Sequence, residues 1–186
     1  MKRIGILGGS FNPVHLGHLL AAQHALEAGR LERVWFLPSN IPPHKEAAPL
    51  APPADRLEMV RLAIAGNPDF GLCDDEIVRG GVSYAVDTMR RLRVRAPEAQ
   101  PVFIIGMDSL PELHLWRDVG TLLTLCEFLV LERPGCRRPR EAAELRLPPP
   151  WGERLLAAIR PGRLCDISST EIRRRVAGGR SIRYLV

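Results

Sequence analysis

The sequence has few or none of the features that would place it in several specialised protein classes. Its four cysteines, at positions 73, 126, 136 and 165, form no Cys-x-x-Cys pair, which argues against a zinc finger or a disulfide scaffold. No apolar run reaches the roughly 18 residues of a transmembrane helix. The apolar stretch after Met1 is too short and too rich in glycine for a signal peptide. We therefore expect a cytoplasmic globular protein.

Lysine and aromatic residues are also scarce. Lys2 and Lys45 are the two lysines among 26 basic residues, and aromatic residues make up 5% of the chain. The formal net charge of +5 suits a nucleic acid or phosphate-rich small substrates, but it also follows from a genome biased towards arginine codons. Because the arginines are scattered and aromatic residues are few, a nucleic-acid-binding protein is the remote alternative.

The length and the hydrophobic pattern favour one α/β domain over residues 1–186, with a Rossmann-like, doubly wound parallel sheet and helices on both faces. Short continuous apolar runs alternate with segments of helical periodicity, as expected when strands are buried on both faces. The predicted strands are Arg3–Gly8, Arg33–Leu37, Phe70–Cys73, Pro101–Gly106, Glu127–Leu131 and Leu164–Ile167. The predicted helices include Leu16–Ala28, Ala54–Ala65 and Tyr84–Val94. Two proline-rich stretches, Ile41–Pro53 and Arg133–Pro150, are predicted loops.

The segment after the first predicted strand reads G-G-S-F-N-P-V-H-L-G-H, from Gly8 to His18. The glycines let the backbone approach a ligand closely, and the helix that follows presents free N–H groups to anions. His15 and His18 are three positions apart, so they share a helical face if the helix covers both. Together these features predict a phosphate site beyond the carboxyl end of a strand.

Other interpretations of this segment are weaker. The glycines alone would fit a tight turn. The histidines could bind zinc, but a structural zinc site usually needs four ligands and no cysteine lies nearby in the sequence. A dinucleotide or P-loop motif is excluded, because the chain contains neither G-x-G-x-x-G nor G-K-[ST].

A second anion site is predicted near the end of the chain, in I-S-S-T-E-I-R at residues 167–173. Ser168 and Glu171 have the spacing of a capping box, and the helix should continue to Val176 or Ala177 before Gly178. An ordinary capped helix explains Ser168 and Glu171. It does not explain two further hydroxyls and an arginine beside the same helix N-terminus, where anions bind.

These two motifs resemble the H-x-G-H and I-S-S-T-x-I-R signatures of the nucleotidyltransferase superfamily. Four further segments resemble the bacterial nicotinate-nucleotide adenylyltransferase family over nearly the whole chain. They are P-S-N-I-P-P-H-K at 38–45, G-V-S-Y-A-V-D-T at 81–88, I-G-M-D-S at 105–109 with Trp116, and L-E-R-P-G at 131–135. The resemblance implies adenylyl transfer from ATP to nicotinate mononucleotide in NAD biosynthesis, by in-line attack without a covalent intermediate. It also implies Mg²⁺ held through the ATP phosphates, with no metal ligand from protein side chains.

The resemblance also assigns site residues. It implies that His15, His18 and Arg173 are catalytic. The implied ATP-binding residues are Gly8, Gly9, Ser10, Phe11, His15, His18, Gly106, Asp108, Arg133, Ile167, Ser168, Ser169, Thr170 and Arg173. The implied nicotinate-nucleotide-binding residues are Asn40, His44, Lys45, Ser83, Tyr84, Ala85, Asp108 and Trp116.

The chemistry of nicotinate mononucleotide fits these residue types. The flat cationic ring suits an aromatic face such as Trp116, and its carboxylate needs N–H donors such as those of a helix start at 83–85. The chain departs from the family in having Ala85 where threonine is usual, and Arg117 where an aromatic residue often follows the tryptophan. Nicotinamide mononucleotide, a near-isostere, stays open as the acceptor. Phosphopantetheine is a weaker alternative, and a homo-oligomer is compatible with the sequence.

Overall fold

The computed structural model describes residues 2–43, 50–162 and 165–186. Its centre is a six-stranded parallel sheet with the strand order β3-β2-β1-β4-β5-β6. The strands are β1 (Lys2–Gly9), β2 (Arg33–Pro38), β3 (Phe70–Leu72), β4 (Ala99–Gly106), β5 (Glu127–Leu131) and β6 (Ile159–Arg160). The predicted doubly wound α/β fold is confirmed, because the order reverses between β1 and β4 as in Rossmann-like sheets.

The described part of the chain contains seven α-helices, six of them between strands and the last after β6. They are α1 (Leu16–Ala28), α2 (Pro53–Ile64), α3 (Asp75–Arg79), α4 (Ala85–Arg95), α5 (Val119–Leu125), α6 (Trp151–Ala157) and α7 (Ser169–Ala177). Two 3₁₀ helices span Leu110–Leu115 and Ala142–Leu145. No helix among the described residues is long and apolar enough to cross a membrane.

Successive side chains of the central strands point to opposite faces of the sheet, and each face has its own core. In β4, Val102 and Ile104 belong to one core, whereas Phe103 and Ile105 belong to the other. The first core includes residues of α1 and α2, namely Ala22, Ala25, Val60 and Ile64. The second includes residues of α4 and α5, namely Val86, Met89, Leu92, Leu122 and Leu123. This burial on both faces explains why the strands are continuously apolar.

The sixth predicted strand, Leu164–Ile167, is wrong. The strand that pairs with Val130 and Leu131 is Ile159–Arg160, directly after α6. Cys165, Asp166 and Ile167 form no ladder, and Leu164 lies outside the described residues. The prediction from the apolar pattern failed because β6 has only two residues, which are too few to give a periodic signal.

The predicted loop Arg133–Pro150 also needs correction. It contains the 3₁₀ helix at Ala142–Leu145, and the side chain of Leu145 is completely buried in the second core. The predicted loop Ile41–Pro53 ends one residue earlier, because α2 begins at Pro53. Proline is tolerated in the first turn of a helix, because an N–H group there would have no hydrogen-bond partner within the helix.

Candidate active site

A cavity of about 690 Å³ opens at the carboxyl ends of the central strands. It lies beside the point between β1 and β4 where the strand order reverses, which is where ligands bind in open α/β sheets. Predicted site residues that line it are Gly8, Gly9, Ser10, His15, His18, Ser83, Tyr84, Ala85, Gly106, Asp108, Trp116, Arg133 and Ile167. The structure therefore brings together residues from both predicted motifs and from both predicted substrate sites.

The loop after β1 is shaped by the side chain of Phe11. This residue has a positive φ of 44° and is 1% exposed. Its ring lies so close to Gly9 that a Cβ there would be 3.1 Å from it, and it meets the His18 ring edge-on at 5.0 Å. The phenyl group is thus part of the core beneath the loop, and Phe11 is not among the described residues that line the cavity.

His15 and His18 stand together at the start of α1. His15 is the N-cap residue, and its backbone N–H donates to Nδ1 of His18 at 3.2 Å. The centroids of the two imidazole rings are 3.8 Å apart. Since both residues line the cavity, the helix start presents a pair of imidazoles to it.

The surroundings of His15 favour the uncharged ring. The residue is 6% exposed, and its Nδ1 atom has no hydrogen-bond partner among the described residues. Burial, and secondly the positive charge of Arg133, lower the pKa of His15 to about 4. At neutral pH the imidazole is therefore neutral and keeps one N–H donor for a ligand.

Asp108 and Arg133 face each other at the cavity. Arg133 donates from Nη1 to Oδ2 of Asp108 at 3.1 Å, and both side chains are about half exposed. The carboxylate folds back over Gly106, where an added Cβ would lie 2.3 Å from Oδ1 of Asp108. Glycine at position 106 therefore leaves room for the carboxylate beside the end of β4.

The C-terminal motif is docked on the loop after β1. Ser169 Oγ donates to the Pro13 carbonyl at 2.9 Å, and Arg173 Nη1 donates to the Asn12 carbonyl at 2.7 Å. Arg173 Nη2 also donates to Thr170 Oγ1 at 3.1 Å. Within the motif, Ile167 lines the cavity, whereas Ser169 and Arg173 are engaged with the loop that borders it.

The helix prediction for this motif is confirmed. Ser168 caps α7 by accepting a hydrogen bond from the Glu171 N–H at 3.2 Å, and the helix ends at Ala177 before Gly178. Ile172 is 1% exposed and anchors the helix in the interior.

The side of the cavity that was predicted to bind the nicotinate nucleotide is built where the loop after β2 meets the start of α4. The Asn40 N–H donates to Ser83 Oγ and its Nδ2 donates to the Gly81 carbonyl, both at 2.9 Å. Tyr84 is the N-cap of α4 and Ala85 its first residue. Asn40 thus supports the segment that lines the cavity. His44 and Lys45, also predicted on this side, lie outside the described residues.

Four large side chains shape the wall next to this helix start. The Arg117 guanidinium lies over the Tyr84 ring, 4.4 Å from its centroid. Trp116 meets the Phe103 ring edge-on at 6.0 Å and is partly buried against the second core. All four side chains line the cavity, so this wall combines flat aromatic faces with one guanidinium.

Sequence reasoning missed a buried carboxyl group in the cavity. Glu76 is 4% exposed and accepts a hydrogen bond from Thr88 Oγ1 at 2.7 Å. Burial raises the pKa of Glu76, although hydrogen bonds from the hydroxyls of Thr88 and Ser83 partly oppose that effect. Glu76 follows two aspartates in the sequence, and no local signal distinguishes it from a solvent-exposed carboxylate.

The described residues contain no group of three or more His, Cys, Asp or Glu side chains close enough to hold a metal ion. Near the end of β4, the Asp108 carboxylate is already paired with Arg133. This donor set suits a hard cation that keeps its waters and is bound mainly by substrate phosphates, as Mg²⁺ commonly is.

Comparisons with known proteins agree with this geometry. The chain matches the cytidylyltransferase-like family model over residues 6–175. A relative from Symbiobacterium thermophilum, named "Probable nicotinate-nucleotide adenylyltransferase", is 45% identical over 190 residues, covering 100% of this chain and 89% of the relative. A protein of the same name from Exiguobacterium sibiricum is 45% identical over 184 residues, covering 99% and 91%.

A solved structure shares the fold at low sequence identity. Plasmodium falciparum nicotinic acid mononucleotide adenylyltransferase, in complex with NaAD, superimposes with a TM-score of 0.73 at 17% identity, covering 98% of this chain and 87% of that one. The family match and the close relatives each extend over most of the chain. This chain therefore belongs to the cytidylyltransferase-like family and to the nicotinate-nucleotide adenylyltransferases.

Proposed function

We propose that the chain transfers the adenylyl group of ATP to nicotinate mononucleotide, giving nicotinate adenine dinucleotide and pyrophosphate, a step of NAD biosynthesis. The observation that carries the proposal is the single cavity lined by the His15–His18 pair on one side and by Ser83–Ala85 on the other. Two phosphate-bearing substrates that react with each other must meet in one such space. Close relatives named for this activity support the same assignment.

In the proposed reaction the acceptor phosphate attacks the α-phosphorus of ATP in line and pyrophosphate leaves, with no covalent enzyme intermediate. Catalysis then depends on positioning and on stabilising negative charge. The triphosphate would lie against the start of α1, where His15 is a neutral hydrogen-bond donor and His18 is its neighbour. Arg133 and Arg173 would supply positive charge on the same side.

Mg²⁺ would accompany ATP in this proposal. The half-exposed Asp108 carboxylate and the absence of a larger acidic cluster in the described segments fit an ion held through phosphate oxygens and water. When bound, it would neutralise part of the triphosphate charge. The residues of this chain would orient the nucleotides around it.

The acceptor would occupy the wall formed by Tyr84, Ala85 and Trp116. Free N–H groups in the first turn of α4 would meet its carboxylate, and an aromatic face would meet its ring. Asn40 would keep this wall in place through its bonds to Ser83 and Gly81. His44 and Lys45 remain candidates for the acceptor phosphate on the basis of the sequence.

The first test is pyrophosphate release by the purified protein with ATP and Mg²⁺, with nicotinate mononucleotide, nicotinamide mononucleotide and phosphopantetheine offered separately. We expect a strong preference for the nicotinate nucleotide. Equal use of nicotinate and nicotinamide mononucleotide would support adenylyl transfer but contradict the proposed binding site for the carboxylate. No release with any of the three acceptors would overturn the proposal.

The second test replaces one imidazole. His18→Ala should lower kcat by roughly 10²–10³, the usual effect of removing one donor to a transition state, while the fold is kept. His114→Ala is the matched control, because His114 lies on a 3₁₀ helix and does not line the cavity. Turnover near that of the wild type in His18→Ala, with an unchanged urea midpoint, would contradict the proposed role.

A further inference from the structure

We propose that Arg117 is a specificity-determining residue, whose positive charge selects an acceptor with an anionic ring substituent over one with a neutral amide. This inference rests on the proposed function, because it concerns the acceptor side of the same cavity. The residue stands where an aromatic side chain would be expected from the family resemblance.

The position of Arg117 is fixed by a ring at the cavity wall. Its Cζ atom lies 4.4 Å from the centroid of the Tyr84 ring, and both residues line the cavity. Tyr84 is the N-cap of α4, whose first N–H groups carry a partial positive charge. A guanidinium held on this ring adds a full charge to the end of the helix that already favours anions.

No carboxylate lies within ion-pair distance of Arg117 among the described residues. Its sequence neighbour Asp118 is paired with Arg90 at 2.5 Å. Glu76, the buried carboxyl that also lines the cavity, is engaged by a hydrogen bond from Thr88. The charge of Arg117 is therefore available to a ligand.

The two candidate acceptors differ in charge at one position. Both have a cationic pyridinium ring, but the nicotinate ring carries a carboxylate where the nicotinamide ring carries an amide. A guanidinium near the ring attracts the carboxylate of the nicotinate nucleotide. It repels the nicotinamide ring, because no carboxylate on that ring balances its positive charge. Selection by attraction and repulsion together is stronger than selection by attraction alone. An aromatic side chain at position 117 would stack with both rings equally.

The test measures kcat/KM for nicotinate mononucleotide and nicotinamide mononucleotide in four proteins: the wild type, Arg117→Gln, Arg117→Lys and Arg154→Gln. Arg154 is the matched control, because its guanidinium also lies over an aromatic ring, that of Trp151 at 5.0 Å, but outside the cavity. Arg117→Gln should lower kcat/KM for the acid roughly tenfold, the effect of one charge-assisted hydrogen bond in a partly exposed site. The kcat/KM for nicotinamide mononucleotide should stay within about twofold of the wild-type value or rise.

The lysine variant and the control complete the test. Arg117→Lys should keep part of the preference, since it retains the charge, and Arg154→Gln should leave the acid-to-amide ratio unchanged. Raising the salt concentration should reduce the wild-type preference more than that of Arg117→Gln, because exposed charges are screened.

The possible failures can be told apart. If the wild type releases no pyrophosphate with either nucleotide, the proposed function itself fails. If the wild type prefers the acid and Arg117→Gln shows the same ratio, the function stands and the role of Arg117 is overturned. An equal shift in Arg154→Gln would also overturn it, because the effect would then come from net charge.

Discussion

At the scale of single residues, His15 shows how burial sets a chemical property. Its ring is almost enclosed at the start of α1, and burial with the nearby Arg133 lowers its pKa to about 4. A neutral imidazole at neutral pH donates a hydrogen bond without adding a positive charge beside His18. The positive charge opposite a triphosphate would then come mainly from arginine. The sequence shows the His-x-x-His spacing but not this charge state, which depends on the enclosure of the ring.

The depressed pKa of His15 predicts how stability depends on pH. The folded state binds a proton at this residue near pH 4, whereas the unfolded chain binds it near the ordinary value of about 6.5. The contribution of the neutral His15 ring to the free energy of unfolding is therefore fully present above about pH 6.5 and is lost as the pH falls towards 4. A pKa shift of this size corresponds to a change of up to about 3 kcal/mol in the free energy of unfolding.

Urea unfolding of the wild type and of His15→Gln at several pH values measures this contribution. We expect the difference in unfolding free energy between the two proteins to fall as the pH is lowered through this range. Subtracting the variant removes the titration of the carboxyl groups, which is common to both. A difference that stays constant between pH 7 and pH 4 would contradict the assignment.

At the scale of secondary-structure elements, the sequence predicted those with strong local signals. The bounds of α1 and β5 are confirmed, and α7 begins after the predicted Ser168 cap. The prediction was wrong at β6, where pairing with β5 decides a strand of two residues. The helices α3, α5 and α6 and both 3₁₀ helices were missed, because each is too short for a clear periodic pattern.

Arg56 is an element-scale feature that the sequence did not reveal. It lies in the first turn of α2 and is 0% exposed. Its guanidinium donates to backbone carbonyls from three separate stretches, at distances of 2.6–3.0 Å from Ser10, Ser39, Asn40 and Ala51. An arginine in an amphipathic helix is ordinarily predicted to be exposed. Its burial depends on loops after β1 and β2, which lie far from it in the sequence.

The buried guanidinium of Arg56 should contribute strongly to stability. Arg56→Met should destabilise the protein by about 3–5 kcal/mol, because it removes a buried charged group and leaves its carbonyl partners without donors. Arg61→Met on the same helix is the control, since Arg61 is exposed and pairs with Glu58. Urea unfolding should show a large loss of unfolding free energy for Arg56→Met and little change for Arg61→Met. Equal midpoints for the two variants would refute this role of Arg56.

At the scale of the whole molecule, the fold joins two motifs from opposite ends of the chain. The sequence predicted each motif and their common purpose, but not the bonds between them. Ser169 and Arg173 donate to Pro13 and Asn12, and the Leu16 N–H donates to the Leu185 carbonyl at 2.9 Å. The predicted phosphate-binding loop is therefore held in place by the last helix and the tail that follows it. Contacts across this separation depend on tertiary packing, and no local pattern encodes them.

This joining predicts a selective kinetic effect for Arg173. Arg173→Ala removes a charge from the side of the cavity proposed for the triphosphate and releases the Asn12 carbonyl. The KM for ATP should therefore rise roughly tenfold. The KM for nicotinate mononucleotide should change by less than about twofold, because the wall proposed for the acceptor is built from the loop after β2 and from α4. Arg174→Ala is the control on the same helix, where the side chain is exposed. An unchanged KM for ATP in Arg173→Ala, or equal increases for both substrates, would show that the C-terminal motif does not serve the triphosphate side.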